Sequence, residues 1–281
     1  MFSELPPFGQ RCESWSIATS FTSRSPVVAL NRVRAMLQAG KPSLGAIVTM
    51  PSPQVVQVMA RAGFDLLLID MEHGPIDLPS AHAMILATAG TDTVPMARIA
   101  ANLPWLAKPL LDAGALGIAV PMVCTREGAE AAAAALRYPP AGGRMWGPFF
   151  APLRWNMPMR EYMQAANTDV LSMITIEHID AVRNIGEIVE ARGVDVAIIG
   201  PGDMATSLGH YGQPDHPEVL AAMLEAEKGI LKSPIALGGV AFSADQCNQM
   251  VDRGYRMIFL AFDWSFLQRG FASALQGINR R

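Results

Sequence analysis

Eight short aliphatic runs, each followed by a stretch with helical spacing, constrain the fold of this chain more than any other feature. They cover 45–50, 66–70, 94–98, 117–121, 172–177, 194–200, 235–239 and 257–262. The run at Leu66-Leu67-Leu68-Ile69 is the clearest. Four apolar residues without polar alternation read as a strand buried on both faces, the mark of a parallel sheet. Between the runs, helical patterns span 28–38, 51–61, 78–88, 104–112, 127–137, 179–191, 216–232 and 243–253, and a last helix starts near Trp264. Strands that alternate with helices pair in parallel through right-handed crossovers, and eight such units close on themselves. The expected fold is an α/β TIM (β/α)8 barrel. An open doubly wound sheet usually has fewer strands and a Gly-rich first turn, and no G-x-G-x-x-G follows the first run here.

The 281 residues suit one barrel of about 250 residues plus a tail. Residues 1–28, rich in Ser, Thr, Pro and Arg, read as a tail that is mobile or draped on the surface, and 29–281 as the barrel. The tail has no apolar core of a secretory signal, and Glu4 and Glu13 count against a transit peptide. At 51% hydrophobic and 17% charged, the chain has apolar surface to spare for a subunit interface. A net charge of −3 gives no reason to expect nucleic acid or an anionic membrane. No apolar run reaches the ~18 residues of a membrane span. Cys12, Cys124 and Cys247 form no metal spacing and suit a reducing cytoplasm, as buried inert thiols. The long segment after 137, with Tyr138-Pro139-Pro140, exceeds a routine connection and is expected to be a functional lid.

In a barrel, ligands meet the carboxyl ends of the strands. Those ends carry Asp70, Glu72 and His73, then Arg98, then Glu177 and Asp203. Glu177 and Asp203 together offer oxygen ligands for one divalent cation, Mg²⁺ or Mn²⁺ before others such as Co²⁺. Any one of these acids alone reads equally as a helix cap or an ion-pair partner of Arg98. The pair together with Arg98 and His73 at one rim favours a site. The four lysines, Lys41, Lys108, Lys228 and Lys232, all lie off the core strands. A Schiff-base aldolase is thereby excluded, and carbanion chemistry here needs a metal. His82, His178, His210 and His216 read as capping or surface residues.

Several segments together resemble one family. They are Leu68-Ile69-Asp70-Met71-Glu72-His73-Gly74, Pro95-Met96-Ala97-Arg98, Leu110-Leu111-Asp112-Ala113-Gly114, Val120-Pro121-Met122-Val123, Arg137-Tyr138-Pro139-Pro140-Ala141-Gly142, Ile176-Glu177 and Ile199-Gly200-Pro201-Gly202-Asp203. In this order they are similar to the HpcH/HpaI aldolases, class II pyruvate aldolases with a barrel of the phosphoenolpyruvate/pyruvate-domain type. The resemblance implies a metal-dependent lyase that cleaves or forms 4-hydroxy-2-oxo acids through a pyruvate enolate, with oxaloacetate decarboxylation as a side activity. Its partners are then a 2-oxo acid and an aldehyde. By the same resemblance Glu177 and Asp203 hold the metal, His73 is the base, and Arg98 stabilises the enolate. Asp112 raises the basicity of His73, Gly202 and Asp203 contact substrate, and Asp70 and Glu72 support the site. A hexamer, or trimer of dimers, is implied, with the last helix on a neighbouring barrel. Competing expectations are a macrophomate-synthase-like or citrate-lyase-β-like enzyme, or a non-catalytic barrel that binds a 2-oxo acid. The chain departs from the family at Thr175, where a substrate-contacting Gln is usual, and at Met145 and Trp146, which put bulk into a Gly-lined segment. Both departures bear on the second substrate.

Overall fold

The aliphatic runs become strands whose side chains are buried on both faces, as their lack of alternation requires. A computed structural model describes residues 30–279. Its strands are β1 (Ser43–Val48), β2 (Leu66–Asp70), β3 (Val94–Arg98), β4 (Gly117–Val120), β5 (Leu171–Ile176), β6 (Val196–Ile199), β7 (Ala236–Ala241) and β8 (Met257–Phe262). They pair in parallel in chain order, and β8 returns to β1 to close the barrel. The expected TIM barrel is what forms. Helix α1 (Arg32–Gln38) precedes β1, while α2 (Pro53–Arg61), α3 (Leu78–Ala87), α4 (Pro104–Ala113) and α5 (Arg126–Ala135) follow the first four strands. Helices α6 (Ala151–Trp155) and α7 (Met159–Asp169) lie before β5. Helices α8 (Ile179–Arg183) and α9 (Ile185–Ile188) follow it, α10 (Pro201–Ser207) and α11 (Pro217–Leu231) follow β6, α12 (Ala244–Asp252) follows β7, and α13 (Asp263–Leu275) ends the fold.

Local chemistry sets the helix starts. Ser52, Asp77, Thr125 and Ser243 accept backbone N–H bonds at the heads of α2, α3, α5 and α12. Asn31 does the same for α1, so that helix begins at Arg32 rather than at 28, which lies outside the described residues. His178 and His216 cap α8 and α11 through their ring nitrogens, the capping role expected of them. The single helix expected over 179–191 breaks at Asn184, and α6, α7 and α10 were not expected. The 1–28 tail and Cys12 also lie outside the described residues. Cys247 is buried and Cys124 partly so, and burial holds both thiols above their ordinary pKa.

The long segment is not a lid over the mouth of this chain. Helix α5 runs from the carboxyl ends of the strands down to their amino ends, so the connection to β5 starts and finishes at the closed end. Its side chains bind there. Arg144 Nη2 lies 2.7 Å from Asp112 Oδ1. Trp155 Nε1 donates to the Gly114 carbonyl at 2.9 Å, and Tyr162 Oη to that of Leu111 at 3.1 Å. These partners sit at the C-terminal end of α4. Loop length marked the segment as special, but the direction of a βα unit decides which end it occupies.

One irregularity shapes the mouth. Gly45 faces Phe259 and Ile47 faces Phe262, so β8 uses three steps where β1 uses two. The extra residue is a bulge at Ala261, whose φ of 58° is left-handed. In a regular strand Phe259 and Phe262 would face opposite sides. The bulge turns both toward one cavity. Ala261→Gly removes the left-handed strain of an alanine and is expected to leave stability unchanged or raised by up to about 1 kcal/mol. Ala261→Val, β-branched and at a site only 1% exposed, is expected to lose roughly 2 kcal/mol or more in thermal melts.

Candidate active site

The carboxyl ends of the strands surround a cavity of about 490 Å³. Asp70, His73, Arg98, Thr175, Glu177, Gly202 and Asp203 line it together. Seven strand-derived or loop residues picked from sequence therefore converge on one mouth, with Glu72 beside them through Arg98.

Arg98 ends β3, next to Asp70 at the end of β2 in the pairing register. Its Nε lies 2.9 Å from Asp70 Oδ1 and its Nη2 2.6 Å from Oδ2, a bidentate pair with Asp70 wholly buried. Its Nη1 also sits 3.1 Å from Glu72 Oε2, in ion-pair range though off the hydrogen-bond axis. Burial alone would raise the Asp70 carboxyl. Bonds and charge from Arg98, with the backbone N–H groups of Glu72 and His73, outweigh that and hold it below the aspartate range. Burial raises the Glu72 carboxyl above its ordinary value, and the charge of Glu177 adds to this against the pull of Arg98. Thus Asp70 and Glu72, not Glu177 or Asp203, are the ion-pair partners of Arg98.

Glu177 follows β5 and is 3% exposed. Its Oε1 accepts from the Met122 N–H at 2.8 Å and from Thr175 Oγ1 at 2.6 Å. Among the described residues, no hydrogen bond reaches its Oε2 and no cation stands in ion-pair range of its carboxylate. Thr175, expected to touch substrate, thus gives its proton to Glu177. Met122 reaches Glu177 only because its backbone is left-handed, φ 55°. Sequence reasoning missed that role; its only signal was the quoted Val-Pro-Met-Val run. Gly200 was also missed: a Cβ there would lie 3.0 Å from Glu177 Oε2, so a side chain would push the carboxylate aside by a few tenths of an ångström. Asp203 and Gly202 occupy the first turn of α10, where backbone N–H groups have no helical acceptor.

His73 is more than half exposed at the rim, its Nε2 3.6 Å from Glu72 Oε2. Gly74 behind it abuts the carbonyls of Asp70 and Thr49, which leaves no room for a Cβ. Asp112, expected to hold His73, does not do so within this chain. It lies near the C-terminal end of α4, at the closed end of the barrel, where Arg144 takes its carboxylate at 2.7 Å. Met145 and Trp146 follow Arg144 there, so their bulk stays off this chain's mouth. A further missed residue is Asp263, 1% exposed. It accepts from Thr49 N, Thr49 Oγ1 and Met50 N at 3.0, 2.8 and 2.8 Å, and from Trp264 N at 2.9 Å. It ties the end of β1 to the start of α13.

Four carboxylates therefore stand at the mouth against one guanidinium, and the deeply buried Glu177 has no cation. Buried charges are paired or ligate metals. Hard oxygen donors on a water-accessible cavity fit a divalent cation. Among the described residues the only three-residue group of tightly clustered ligating side chains is His210, His216 and Glu218, far along the chain. There the rings stack at 3.5 Å, His210 pairs with Glu218, and His216 caps α11. Stacked planes do not point their lone pairs at one ion.

Comparisons with known proteins concern the chain as a whole. The sequence model for HpcH/HpaI aldolase/citrate lyase matches residues 45–269. A 4-hydroxy-2-oxo-heptane-1,7-dioate aldolase of Klebsiella pneumoniae is 36% identical over 241 residues, 85% of this chain and 91% of the relative. The crystal structure of an HpcH/HpaI aldolase/citrate lyase family protein from Burkholderia cenocepacia J2315 is 32% identical. It superposes with a TM-score of 0.81 over 88% of this chain and 98% of that one. An HpcH/HpaI aldolase from Desulfitobacterium hafniense DCB-2 is 27% identical, with a TM-score of 0.81 over 88% and 96%.

The lowered Asp70 carboxyl has a thermodynamic consequence. Its pairing stabilises the fold above the ordinary aspartate range, and that stabilisation is lost as pH falls through the lowered value. Asp70→Asn leaves the buried Arg98 with Glu72 as its one charged partner, an expected loss of up to about 3–5 kcal/mol near neutral pH. The stability gap between the two proteins is expected to narrow as the pH drops from about 6 toward about 3 in denaturant titrations.

Proposed function

The chain belongs to the HpcH/HpaI aldolase/citrate lyase family, and from that premise we propose that it is a divalent-metal-dependent carbon–carbon lyase. It is a class II aldolase that cleaves or forms 4-hydroxy-2-oxo acids through a pyruvate enolate. The observation that carries this reading is the buried Glu177 carboxylate, one oxygen oriented by two donors and the other left open, on the same cavity as Asp203. Glu177 and Asp203 are the residues that would hold the ion. When bound, it supplies Lewis-acid stabilisation of negative charge on the 2-oxo acid.

The chain's own groups divide the remaining work. Asp70 fixes the guanidinium of Arg98 by two bonds, so its other N–H groups face the cavity already oriented for the enolate oxygen. Gly202, at the start of α10, offers a backbone N–H to the substrate carboxylate, and Asp203 flanks it. Thr175 holds Glu177 in place. In the cleavage direction His73 takes the proton from the C4 hydroxyl. The bond between C3 and C4 then breaks, its electron pair passes into the enolate, and the aldehyde leaves. Glu72, 3.6 Å from the imidazole and with a raised proton affinity, is placed to share the proton that His73 takes up. A proton returned to C3 completes pyruvate. The same enolate forms when oxaloacetate loses CO₂, which makes decarboxylation a side activity of this site.

Association with further copies belongs to the same reading. Leu267, Phe271 and Leu275 expose a stripe along α13, which suits a homo-oligomer such as a hexamer or trimer of dimers. No described helix is long and apolar enough to cross a membrane. A cytoplasmic setting fits the free thiols of Cys124 and Cys247.

The direct test is release of pyruvate from a panel of 4-hydroxy-2-oxo acids with added Mg²⁺ or Mn²⁺. Turnover is expected with metal and its loss with EDTA; release that EDTA leaves untouched rejects the metal role. Arg98→Ala is expected to lower kcat by roughly 10²–10³ while titration calorimetry still detects the metal. Glu177→Gln is expected to weaken metal binding itself, read in the same calorimeter without any substrate.

A further inference from the structure

The mouth has two unlike halves. Its charged groups come from β2, β3, β5 and the turn after β6. The opposite half, from β7, β8 and β1, is apolar, and three rings dominate it: Phe242, Phe262 and Trp264. Trp264 stacks on Phe262 with centroids 5.9 Å apart and planes at 18°, and Phe242 lies 6.3 Å from Phe262 at 34°. In barrel order this wall stands between Asp203, after β6, and His73, after β2. A group attached to the reacting carbon therefore has the wall beside it.

The wall is built rather than incidental. The bulge at Ala261 turns Phe262 into the cavity. Ser265 Oγ donates to the Phe262 carbonyl at 2.7 Å, and Asp263 accepts the Trp264 N–H at 2.9 Å. Within the single chain Phe242 and Trp264 remain 52% and 46% exposed, large ring surfaces without a partner from their own barrel. Among the described residues, no cationic side chain of this half lines the cavity. No lysine lines the cavity, and its one lining arginine, Arg98, is held by Asp70 and Glu72. Arg269 gives its guanidinium to the Phe242 carbonyl at 3.3 Å and lies 5.0 Å from the face of Phe266. A carboxylate at the far end of a second substrate would lose its water here and gain rings, not a cation.

We propose that the second substrate is an aldehyde with an aromatic or long apolar side chain, seated on Phe242, Phe262 and Trp264, and not one that ends in a carboxylate. This rests on the lyase reading above. The bond made or broken is the same one, between the enolate carbon and the aldehyde carbon. Only the group beyond that carbon is specified.

The test uses the full chain loaded with Mn²⁺. Exchange of the pyruvate methyl protons in D₂O, followed by NMR, needs no aldehyde and reports enolate formation alone. Values of kcat/KM for addition of pyruvate to 3-phenylpropanal, hexanal and succinic semialdehyde then report the wall. Exchange is expected, with the two apolar aldehydes preferred over the acid by about tenfold or more. Trp264→Ala is expected to cut that ratio about tenfold, and Trp264→Lys, which adds the absent cation, to turn it toward the acid. A wall with only a structural role lowers all three constants together and leaves the ratio in place, which overturns the proposal. Exchange together with a wild-type preference for the acid overturns it too, but spares the lyase reading. Absence of exchange sinks both. The wild-type ratio decides the matter even where a variant fails to fold, which melting curves detect.

Discussion

The two-pronged bond between Arg98 and Asp70 is the constraint around which the mouth is arranged. A guanidinium and a fully buried carboxylate on adjacent strands settle each other's geometry through bonds of 2.9 and 2.6 Å. Neither group is stable there alone, since an isolated buried charge costs several kcal/mol. The pairing register of β2 and β3 places Asp70 opposite Arg98, so the parallel sheet itself delivers them together. Glu72 and His73 ride on the turn that follows, and Gly74 closes it at a point too tight for any side chain. The rigidity of one ion pair thereby extends to every group expected to move a proton.

Glu177 presents the opposite case, a buried acid supplied with hydrogen bonds but no positive partner. Its surroundings are specific to that state. Met122 adopts a left-handed backbone to offer an N–H, Thr175 offers a hydroxyl, and Gly200 withholds a Cβ. Strain at Met122 and a missing side chain at Gly200 are local sacrifices of stability, of the kind that gather at functional sites. They make sense when the charge they support is later balanced by an ion.

Much of this was legible in the residues. Parallel strands buried on both faces announce themselves as unbroken aliphatic runs, and the polar residues at their carboxyl ends had to share one rim. Asp70, Glu72, His73, Arg98, Glu177 and Asp203 followed from that alone. What stayed hidden depends on direction and distance rather than on residue type. Asp112 carries the right chemistry, but it sits at the C-terminal end of α4, where Arg144 holds it. The segment after α5 has the length of a lid but occupies the closed end, because helices in a barrel run opposite to its strands. Phe262 reads as an ordinary strand residue until the extra step at Ala261 is seen. Asp263, just before the helix expected near Trp264, drew no reading and is a fourfold acceptor.

The position of Asp263 also bears on how the chain assembles. Its carboxylate joins Thr49 and Met50 across a sequence separation of 214 and 213 residues, and β8 meets β1 over a similar span. Contacts so remote in sequence carry a loop-closure cost that slows folding. A nascent polypeptide emerging from the ribosome can stack its early strands and helices. Until β8 (Met257–Phe262) has been made, however, the ring stays open and the aromatic side of the pocket lacks Phe262 and Trp264. A chain stopped short of β8 is left with an unpaired edge on β1 in place of a closed barrel.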